Sequence, residues 1–292
     1  MIIIELMGGL GNQMFQYALA LKLKHIGRNV CIDLLFDEDT LRKYELDCFS
    51  GVSEAAVPML RNDHSSGKNG KIQKIIRNVI NRSIPVHKDR IILYQPEVYG
   101  YKRARLSGYW QNEKYFSDIR DEILKVYSFR DDLAVQFEKA LADRYGDQYN
   151  PENETSVSVH VRCTDYNNSM NSKLYGNICT LDYYKKAIKY YTDRYKDSVF
   201  YFFSDDMNHV REKLLPEIKE SNPGTYRMVE WDCDNVADLW LMTKCRHHII
   251  ANSTFSWWGA WLGQNEDKTV VAPRLWMNGY SYDIICEDWI KL

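Results

Sequence analysis

The chain begins with Ile2-Ile-Ile-Glu-Leu-Met-Gly-Gly-Leu-Gly-Asn-Gln13, an apolar run followed at once by a glycine-rich turn. The apolar run predicts a buried strand, and a helical pattern continues from the turn to Lys24. Gly27 ends this helix, and residues 30–33 have the pattern of a second strand. Strand, turn, helix and strand form a βαβ unit, so the sequence predicts an α/β protein with parallel sheets.

The second half of the chain alternates strands and helices in the same way. Polar residues 143–155 predict a boundary between a Rossmann-like lobe of residues 1–150 and a second lobe of residues 151–292. The last helix is a candidate to pack back on the first lobe. Strands are predicted at 157–161, 199–203, 227–231, 248–251 and 269–272, and helices at 181–195, 208–218, 236–244 and 254–262.

Composition excludes several classes of protein. The 292 residues are 45% hydrophobic with a net charge of −2, which is typical of a globular protein that does not bind nucleic acid. A membrane span and a signal peptide are not predicted, and the seven scattered cysteines indicate a reducing compartment, so we expect a cytoplasmic protein. The basic segment from Lys71 to Arg90 could bind a membrane surface peripherally, but we favour a helix that packs its isoleucines inward.

Three polar clusters follow predicted strands of the second lobe. They are His160-Val-Arg-Cys-Thr-Asp165, Ser204-Asp-Asp206 and Asn252-Ser-Thr-Phe-Ser256. Ligands of an open parallel sheet bind beyond the carboxyl ends of its strands, so the three clusters predict one site.

Each cluster suggests a chemical role. The hydroxyls and the helix start at Asn252, Ser253, Thr254 and Ser256 suit a phosphate group. Arg162 suits a diphosphate leaving group, and Asp205 or Asp206 could accept hydrogen bonds from guanine. The structural alternative is that Ser253 and Asp206 are helix N-caps.

The glycine turn Gly9-Leu-Gly11-Asn-Gln-Met14 matches a dinucleotide fingerprint except at Met14, and Asp33 lies roughly where that fingerprint places a ribose-binding acid. Asn12 and Gln13 suit hydrogen bonds to sugar hydroxyls or phosphate. The turn therefore leaves a nicotinamide-dependent oxidoreductase open as an alternative.

Two further motifs resemble metal sites. Asp232-Cys-Asp234 has the pattern of a metal-binding DxD motif, but it precedes a helix, which favours Asp234 as an N-cap. His247 and His248 begin an apolar strand, which favours a structural role. We expect no metal and no cofactor.

Four segments resemble the bacterial α-1,2-fucosyltransferases of glycosyltransferase family 11. They are the segments that run from Gly8 to Tyr17, from Gly108 to Phe116, from His160 to Asp165 and from Ala251 to Leu262. The resemblance implies a GT-B architecture with two facing Rossmann-like lobes, the first on the acceptor side and the second binding the donor. It also implies metal-independent, inverting transfer of fucose from GDP-fucose to the 2-hydroxyl of a galactose-type residue. The acceptor would be a surface glycan such as O-antigen or capsule, which could be lipid-linked.

Site residues follow from the same resemblance. His160 and Arg162 match the family's HxRRxD motif, in which the first arginine holds the donor diphosphate, and Cys163 replaces the second arginine. Asp165 matches the acid of the motif; Asp165 or His160 is the candidate base, and Asp165 alternatively orients Arg162.

The resemblance also places Thr254 and Ser256 at donor contacts. Gly9, Gly11, Asn12 and Gln13 complete the candidate donor-binding set. Two alternatives remain: a transferase that uses another GDP-sugar or makes another linkage, and an inactive protein that binds a GDP-sugar.

Overall fold

The computed structural model describes residues 1–36, 42–60, 83–90, 93–146, 149–163 and 169–292, which divide into two units, Met1–Arg130 and Asp131–Leu292. Each unit contains a parallel sheet, as the alternation of strands and helices predicts. The segment from Lys71 to Arg82, the core of the predicted basic helix, lies outside the described residues.

The sheet of the first unit is built around the opening apolar run, which forms the strand β1. Its strands are β1 (Ile2–Leu6), β2 (Val30–Leu34), β3 (Met59–Leu60), β4 (Val86–Lys88) and β5 (Ala104–Ser107), in the order β3-β2-β1-β5-β4. All neighbours pair in parallel. Helix α1 (Leu10–His25) crosses from β1 to β2, and α2 (Arg120–Val126) lies near the end of the unit. From Leu10 to Leu23 every residue of α1 except Asn12 is buried, as expected for a helix that is apolar on most of its surface.

The second unit has a six-stranded sheet. Its strands are β6 (Ser156–Val161), β7 (Val199–Ser204), β8 (Thr225–Met228), β9 (His247–Ile249), β10 (Val270–Ala272) and β11 (Ile290–Lys291), in the order β11-β10-β9-β6-β7-β8. Its helices are α3 (Asp131–Tyr145), α4 (Ser169–Tyr175), α5 (Leu181–Thr192), α6 (Met207–His209), α7 (Leu215–Ser221), α8 (Asn235–Lys244) and α9 (Thr254–Leu262), and a π-helical turn, Val210–Leu214, joins α6 to α7. Counted along the chain, the strand order is 3-2-1-4-5-6, the doubly wound arrangement that binds nucleotides.

Helix α5 holds the carboxyl ends of the central strands. Its hydroxyls donate to backbone carbonyls: Tyr184 to His160 at 2.9 Å, and Tyr183 to Ile250 at 2.6 Å. Both tyrosines are at most 5% exposed, and burying an aromatic ring of this size contributes roughly 2–3 kcal/mol. The hydrogen bonds satisfy their hydroxyls, so this packing fixes the two strand ends that carry the polar clusters.

The boundary between the units differs from the sequence prediction. The division between the units falls before α3, because Phe137 packs against Trp240 (ring centroids 5.8 Å apart) and the Arg144 Nε–H group donates to the Glu230 carbonyl at 3.1 Å. The last helix is α9, followed by β10 and by β11, which pairs with β10 in parallel, and the packing of this helix on the first lobe stays a prediction. Within the described ranges, no helix is both long and apolar enough to span a bilayer.

Candidate functional site

The crevice beside β6 is where the second sheet reverses its strand order. Strand β6 pairs with β7 on one side and with β9 on the other, so the loops that follow β6 and β9 diverge at this point. The rings of His160 on β6 and Phe255 in the first turn of α9 lie 5.7 Å apart. The first and third polar clusters therefore meet at one edge, as the sequence predicts.

An ion pair joins the second cluster to the first. Arg162 Nη1 lies 3.1 Å from Asp205 Oδ2, and the Cys163 backbone N–H donates to Asp205 Oδ1 at 2.8 Å. Both carboxylate oxygens are thus engaged beside β6. Asp205 thus contacts Arg162 and the backbone at Cys163, and the guanine contact that the sequence suggested stays a prediction, because each carboxylate oxygen can accept more than one hydrogen bond.

The two predicted N-caps behave differently. Asp206 Oδ1 accepts the His209 N–H at 3.0 Å, which confirms the cap of α6. Ser253 stands at the N-cap position of α9, but its side chain makes no capping hydrogen bond. The first N–H groups of α9 are therefore not capped by this hydroxyl.

Two residues of the third cluster are structural. Asn252 is 5% exposed; its Nδ2 donates to the carbonyls of Tyr175 (3.1 Å) and Trp276 (3.2 Å), so both amide hydrogens are used. Ser256 is 2% exposed and donates to the Ser253 carbonyl at 3.3 Å. These positions correct the donor contacts predicted for Asn252 and Ser256, whereas Ser253 and Thr254 are partly exposed and keep theirs as predictions.

His160 is a buried, neutral histidine. Burial, with a smaller contribution from the Arg162 charge, lowers its pKa to about 3. Its Nδ1 has no hydrogen-bond partner within the described part of the chain. A neutral ring with one such nitrogen can bind a ligand through a hydrogen bond.

Only part of the remaining HxRRxD segment lies within the described residues. Asp165 and Thr164 lie outside the described residues. The thiol of Cys163 lies 4.0 Å from Ser204 Oγ, and burial raises its pKa. A neutral thiol therefore stands where the resemblance expects the second arginine.

The glycine turn of the first unit leads into α1, and Gly8 needs its freedom of conformation because its φ is +82°. Gly9 is the N-cap of α1, and Gly11 is buried in its first turn. Gln13 is fully buried: its Nε2 donates to the carbonyls of Gly8 and Lys43 at 2.8 Å, and its Oε1 accepts the Glu45 N–H at 3.0 Å. The donor contact predicted for Gln13 is corrected, because this amide fastens the turn internally.

Asn12 remains at the surface of the turn. Its Oδ1 accepts a hydrogen bond from Gln111 Nε2 at 2.7 Å, and Gln111 follows β5, the neighbour of β1. Trp110, which lies between β5 and Gln111, has a φ of +55°, a conformation that costs a bulky residue roughly 1–3 kcal/mol. The Asp89 carboxylate accepts the Trp110 N–H at 2.8 Å. The family resemblance covers Gln111 in the segment from Gly108 to Phe116, but sequence analysis did not name it as a site residue, because it did not assign β5 as a strand.

Asp33 cannot bind a ribose. It is fully buried and lies 2.7 Å from Arg105 Nη2, and the same guanidinium lies 2.5 Å from Glu5. The acid that supported a nicotinamide cofactor is therefore part of a buried ion-pair cluster in the sheet, and this alternative loses its chemical basis.

Of the two metal-like motifs, the first contains the N-cap that the sequence predicts. Asp234 Oδ1 accepts the N–H groups of Val236 (3.1 Å) and Ala237 (3.2 Å), which caps α8. His248 is buried, with Nδ1 2.8 Å from Ser158 Oγ.

Comparison with known proteins agrees with this arrangement. The model of "Glycosyl transferase family 11" matches residues 72–292. An Escherichia coli O-antigen biosynthesis glycosyltransferase, WbnK, is 31% identical over 98% of this chain and 99% of its own length. An Escherichia coli α-1,2-colitosyltransferase is 30% identical over 100% and 98%, and the mouse galactoside α-(1,2)-fucosyltransferase 2 is 26% identical over 89% and 67%. Among solved structures, POFUT1 in complex with GDP-fucose has a similar fold, with a TM-score of 0.53 at 12% identity over 92% of this chain and 96% of that one.

Proposed function

The chain belongs to glycosyltransferase family 11, and we propose that it transfers L-fucose from GDP-fucose to the 2-hydroxyl of a terminal galactose-type residue. The observation that carries this proposal is the crevice beside β6, where Arg162, the neutral His160 and the start of α9 lie together. We further propose that the reaction inverts the anomeric centre and needs no metal ion.

The crevice suits a diphosphate. Arg162 supplies a fixed cation, and the start of α9 supplies N–H groups and the positive end of a helix dipole. Charge develops on the diphosphate as the sugar–oxygen bond breaks, so these groups bind the transition state more tightly than the intact donor. In other transferases a divalent cation provides this charge, and here we assign it to Arg162 and α9.

The reaction exchanges one bond at the anomeric carbon. The acceptor oxygen attacks this carbon, the bond to the diphosphate oxygen breaks, and its electron pair leaves with GDP. The hydroxyl proton passes to a base. Because attack occurs opposite to the leaving group, the β-linked donor gives an α-linked product.

We propose that His160 binds substrate and does not act as the base. A histidine with a pKa near 3 is a weak proton acceptor at neutral pH. We propose Asp165, the other candidate, as the base; this residue lies outside the described part of the chain.

A colitosyl donor is the second candidate. The colitosyltransferase relative is 30% identical, compared with 26% for the mouse fucosyltransferase. Colitose is fucose without its 3-hydroxyl, so the two sugars differ by one hydrogen-bonding group. We place fucose first because fucosyltransferases recur among the relatives, and because POFUT1, which has a similar fold, is solved in complex with GDP-fucose.

The proposed acceptor belongs to a surface polysaccharide, on the strength of the O-antigen relative. A lipid-linked acceptor would bring the enzyme to the cytoplasmic face of a membrane. Attachment through the segment from Lys71 to Arg90 stays a prediction.

Release of GDP tests the reaction. GDP-fucose and GDP-colitose are each incubated with lactose, Galβ1-3GalNAc or Galβ1-3GlcNAc, with and without EDTA. We expect acceptor-dependent release that EDTA leaves unchanged, faster with GDP-fucose. Faster release with GDP-colitose would select the second donor, and loss of release in EDTA would contradict metal independence.

A further inference from the structure

We propose that Asp89 is a positioning residue of the first unit. It holds the segment from Gly108 to Gln111, which follows β5, in a strained backbone conformation, and so presents the Gln111 amide to a hydroxyl of the acceptor sugar. This inference rests on the proposed function, since it assigns a sugar acceptor to the first unit.

Asp89 and this segment are neighbours because of the register of two strands. Lys88 pairs with Ser107 at the carboxyl ends of β4 and β5, so Asp89 and Gly108 are the next residues on each side. The Asp89 N–H donates to the Ser107 carbonyl at 2.8 Å. Gly108 has a φ of +130°, and a Cβ there would lie 2.3 Å from the Cβ of Asp89. This close approach therefore requires glycine.

The Asp89 carboxylate binds two successive backbone N–H groups. Its Oδ2 accepts the Tyr109 N–H at 3.3 Å and the Trp110 N–H at 2.8 Å. Successive N–H groups that point to one place form a concave site for an anion, and here the anion is a carboxylate of the same chain. Hydrogen bonds to a charged acceptor are stronger than those to a neutral one, so Asp89 holds the segment firmly.

The segment departs from ordinary geometry and hydrogen bonding at Trp110. Its φ of +55° is strained for a bulky residue, and its buried indole Nε1 has no hydrogen-bond partner within the described ranges. The Trp110 ring packs edge-on against Tyr115, with centroids 5.8 Å apart. Such departures persist where the surrounding structure imposes them, and they concentrate at functional sites. We therefore look for a function in the residue that the strained backbone directs.

That residue is Gln111, which is fixed from both sides. The Asn112 N–H donates to the Trp110 carbonyl at 2.9 Å, the bond of a γ-turn centred on Gln111. The Asn112 side chain then caps the next turn by accepting the Lys114 N–H at 2.9 Å. Gln111 is partly exposed, and its Nε2 donates to Asn12 Oδ1 at 2.7 Å. An amide whose direction is fixed before the ligand arrives loses less entropy on binding a hydroxyl.

A purely structural role for Asp89 makes a different prediction. Loss of the carboxylate would then lower the stability of the first unit, and the folded variant would bind the acceptor normally. A positioning role instead raises the KM for the acceptor, leaves the KM for the donor unchanged, and depends on the presence of the Gln111 amide.

Steady-state kinetics of GDP release test the assignment, with the GDP-sugar and the galactoside that give the fastest release from wild type. The proteins are wild type, Asp89→Ala, Gln111→Ala, the double variant, and Asp121→Ala as a control that removes an exposed carboxylate from α2 of the same unit. Formate is added in parallel assays, because it can return to Asp89→Ala the carboxylate that the substitution removes.

We expect Asp89→Ala to raise the KM for the acceptor roughly fivefold, the size expected for the loss of one neutral hydrogen bond. Formate should lower this KM in Asp89→Ala but not in Gln111→Ala. Asp89→Ala should cost nothing further in the Gln111→Ala background, because the two residues act through one contact. Asp121→Ala should have wild-type values for both substrates.

Four results would overturn the assignment: an unchanged acceptor KM in Asp89→Ala, an equal rise in the donor KM, additive losses in the double variant, or no response of Asp89→Ala to formate. Should Asp89→Ala lose its cooperative thermal transition, Asp89→Asn takes its place, judged by the two KM values and the double variant. If the wild type releases no GDP with any acceptor, the proposed function itself fails. That result is distinct from an active wild type whose Asp89 variant keeps the wild-type acceptor KM.

Discussion

Both units place a crevice where the order of a parallel sheet reverses, but the two crevices use different side chains. Beside β6 in the second unit the loops are joined by an ion pair between Arg162 and Asp205. Beside β1 in the first unit they are joined by neutral amides: Gln16 Nε2 donates to the Gly108 carbonyl at 2.9 Å, and Gln111 donates to Asn12. The same topology thus offers charge in one unit and uncharged hydrogen-bonding groups in the other.

The first unit also has charged residues, but it keeps three of them inside the sheet. Glu5, Arg105 and Asp33 form a cluster whose side chains are at most 12% exposed. Charge buried under a sheet serves the fold, whereas charge at the carboxyl edge is available to a ligand. Under the proposed function, the second unit binds the nucleotide diphosphate and the first unit binds a neutral sugar.

Removal of the Arg162 charge at the carboxyl edge of the second sheet should have the largest effect on activity. We expect Arg162→Ala to lower kcat/KM by about 10²–10³ or more, because one preorganised group that stabilises developing charge contributes this much. Steady-state rates at saturating acceptor measure the loss, and circular dichroism checks the fold. Turnover at the wild-type level would remove the charge of the second crevice from the mechanism.

Acid should destabilise the second unit through its buried histidines. Burial lowers the pKa of His160 to about 3 and of His247 to about 4, and it holds that of His248 well below its usual value. These folded-state values lie below the unfolded value near 6.5, so the stability they contribute is present above pH 6.5 and is lost as pH falls toward 4. At pH 4.5, His160 and His247 each lower the free energy of unfolding by up to roughly 2–3 kcal/mol relative to its value above pH 6.5.

His247→Gln isolates one of these contributions, because glutamine keeps an acceptor for the Thr269 N–H and cannot be protonated in this range. Urea unfolding at pH 7.5 and pH 4.5 should show a smaller acid loss in the variant. Equal losses in variant and wild type would contradict the assigned pKa of His247.

Gln13 tests whether the glycine turn is structural. Gln13→Met removes three hydrogen bonds at a fully buried site while keeping the volume, so we expect a loss of about 2 kcal/mol in the free energy of unfolding. Chemical denaturation measures this loss. GDP affinity should be unchanged in the folded variant. A large fall in GDP affinity would instead support the donor contact first predicted for Gln13.

We propose that the neutral crevice at Asn12 and Gln111 contacts the acceptor rather than the donor, so a change there should have the smallest effect and act on the acceptor alone. Gln111→Ala removes one neutral amide, worth about 1 kcal/mol, so we expect the KM for the acceptor to rise roughly fivefold. The KM for GDP-fucose serves as the internal control and should not move. A rise in the KM for GDP-fucose instead would contradict the assignment of the acceptor to the first unit and of the donor to the second.

The sequence predicts those elements whose periodicity is regular. Strand β1 and helix α9 have the predicted bounds, and the doubly wound order of the second unit follows from strict alternation. Sequence analysis does not predict strand β5, because its charged residue Arg105 faces the interior and is neutralised by acids from two other strands. Sequence analysis does not predict strand β4 either, because it is a short edge strand whose Val86 is 52% exposed.

The candidate site is predictable at the level of clusters, but not of single contacts. The placement of polar residues after β6, β7 and β9 follows from topology. The bond between Arg162 and Asp205 depends on the register of β6 against β7, and the burial of Asn252 depends on two segments distant in sequence. Neither the register nor these long-range contacts can be read from residue types along the chain.

Product structure tests the central claim most directly. GDP-fucose and Galβ1-3GlcNAc are incubated with the enzyme in EDTA, and the purified trisaccharide is examined by NMR for its anomeric configuration and linkage. We predict an α-linked fucose on the 2-hydroxyl of galactose, formed by wild type and not by Arg162→Ala. A β-linkage, attachment at another hydroxyl, or equal product from the variant would contradict the account.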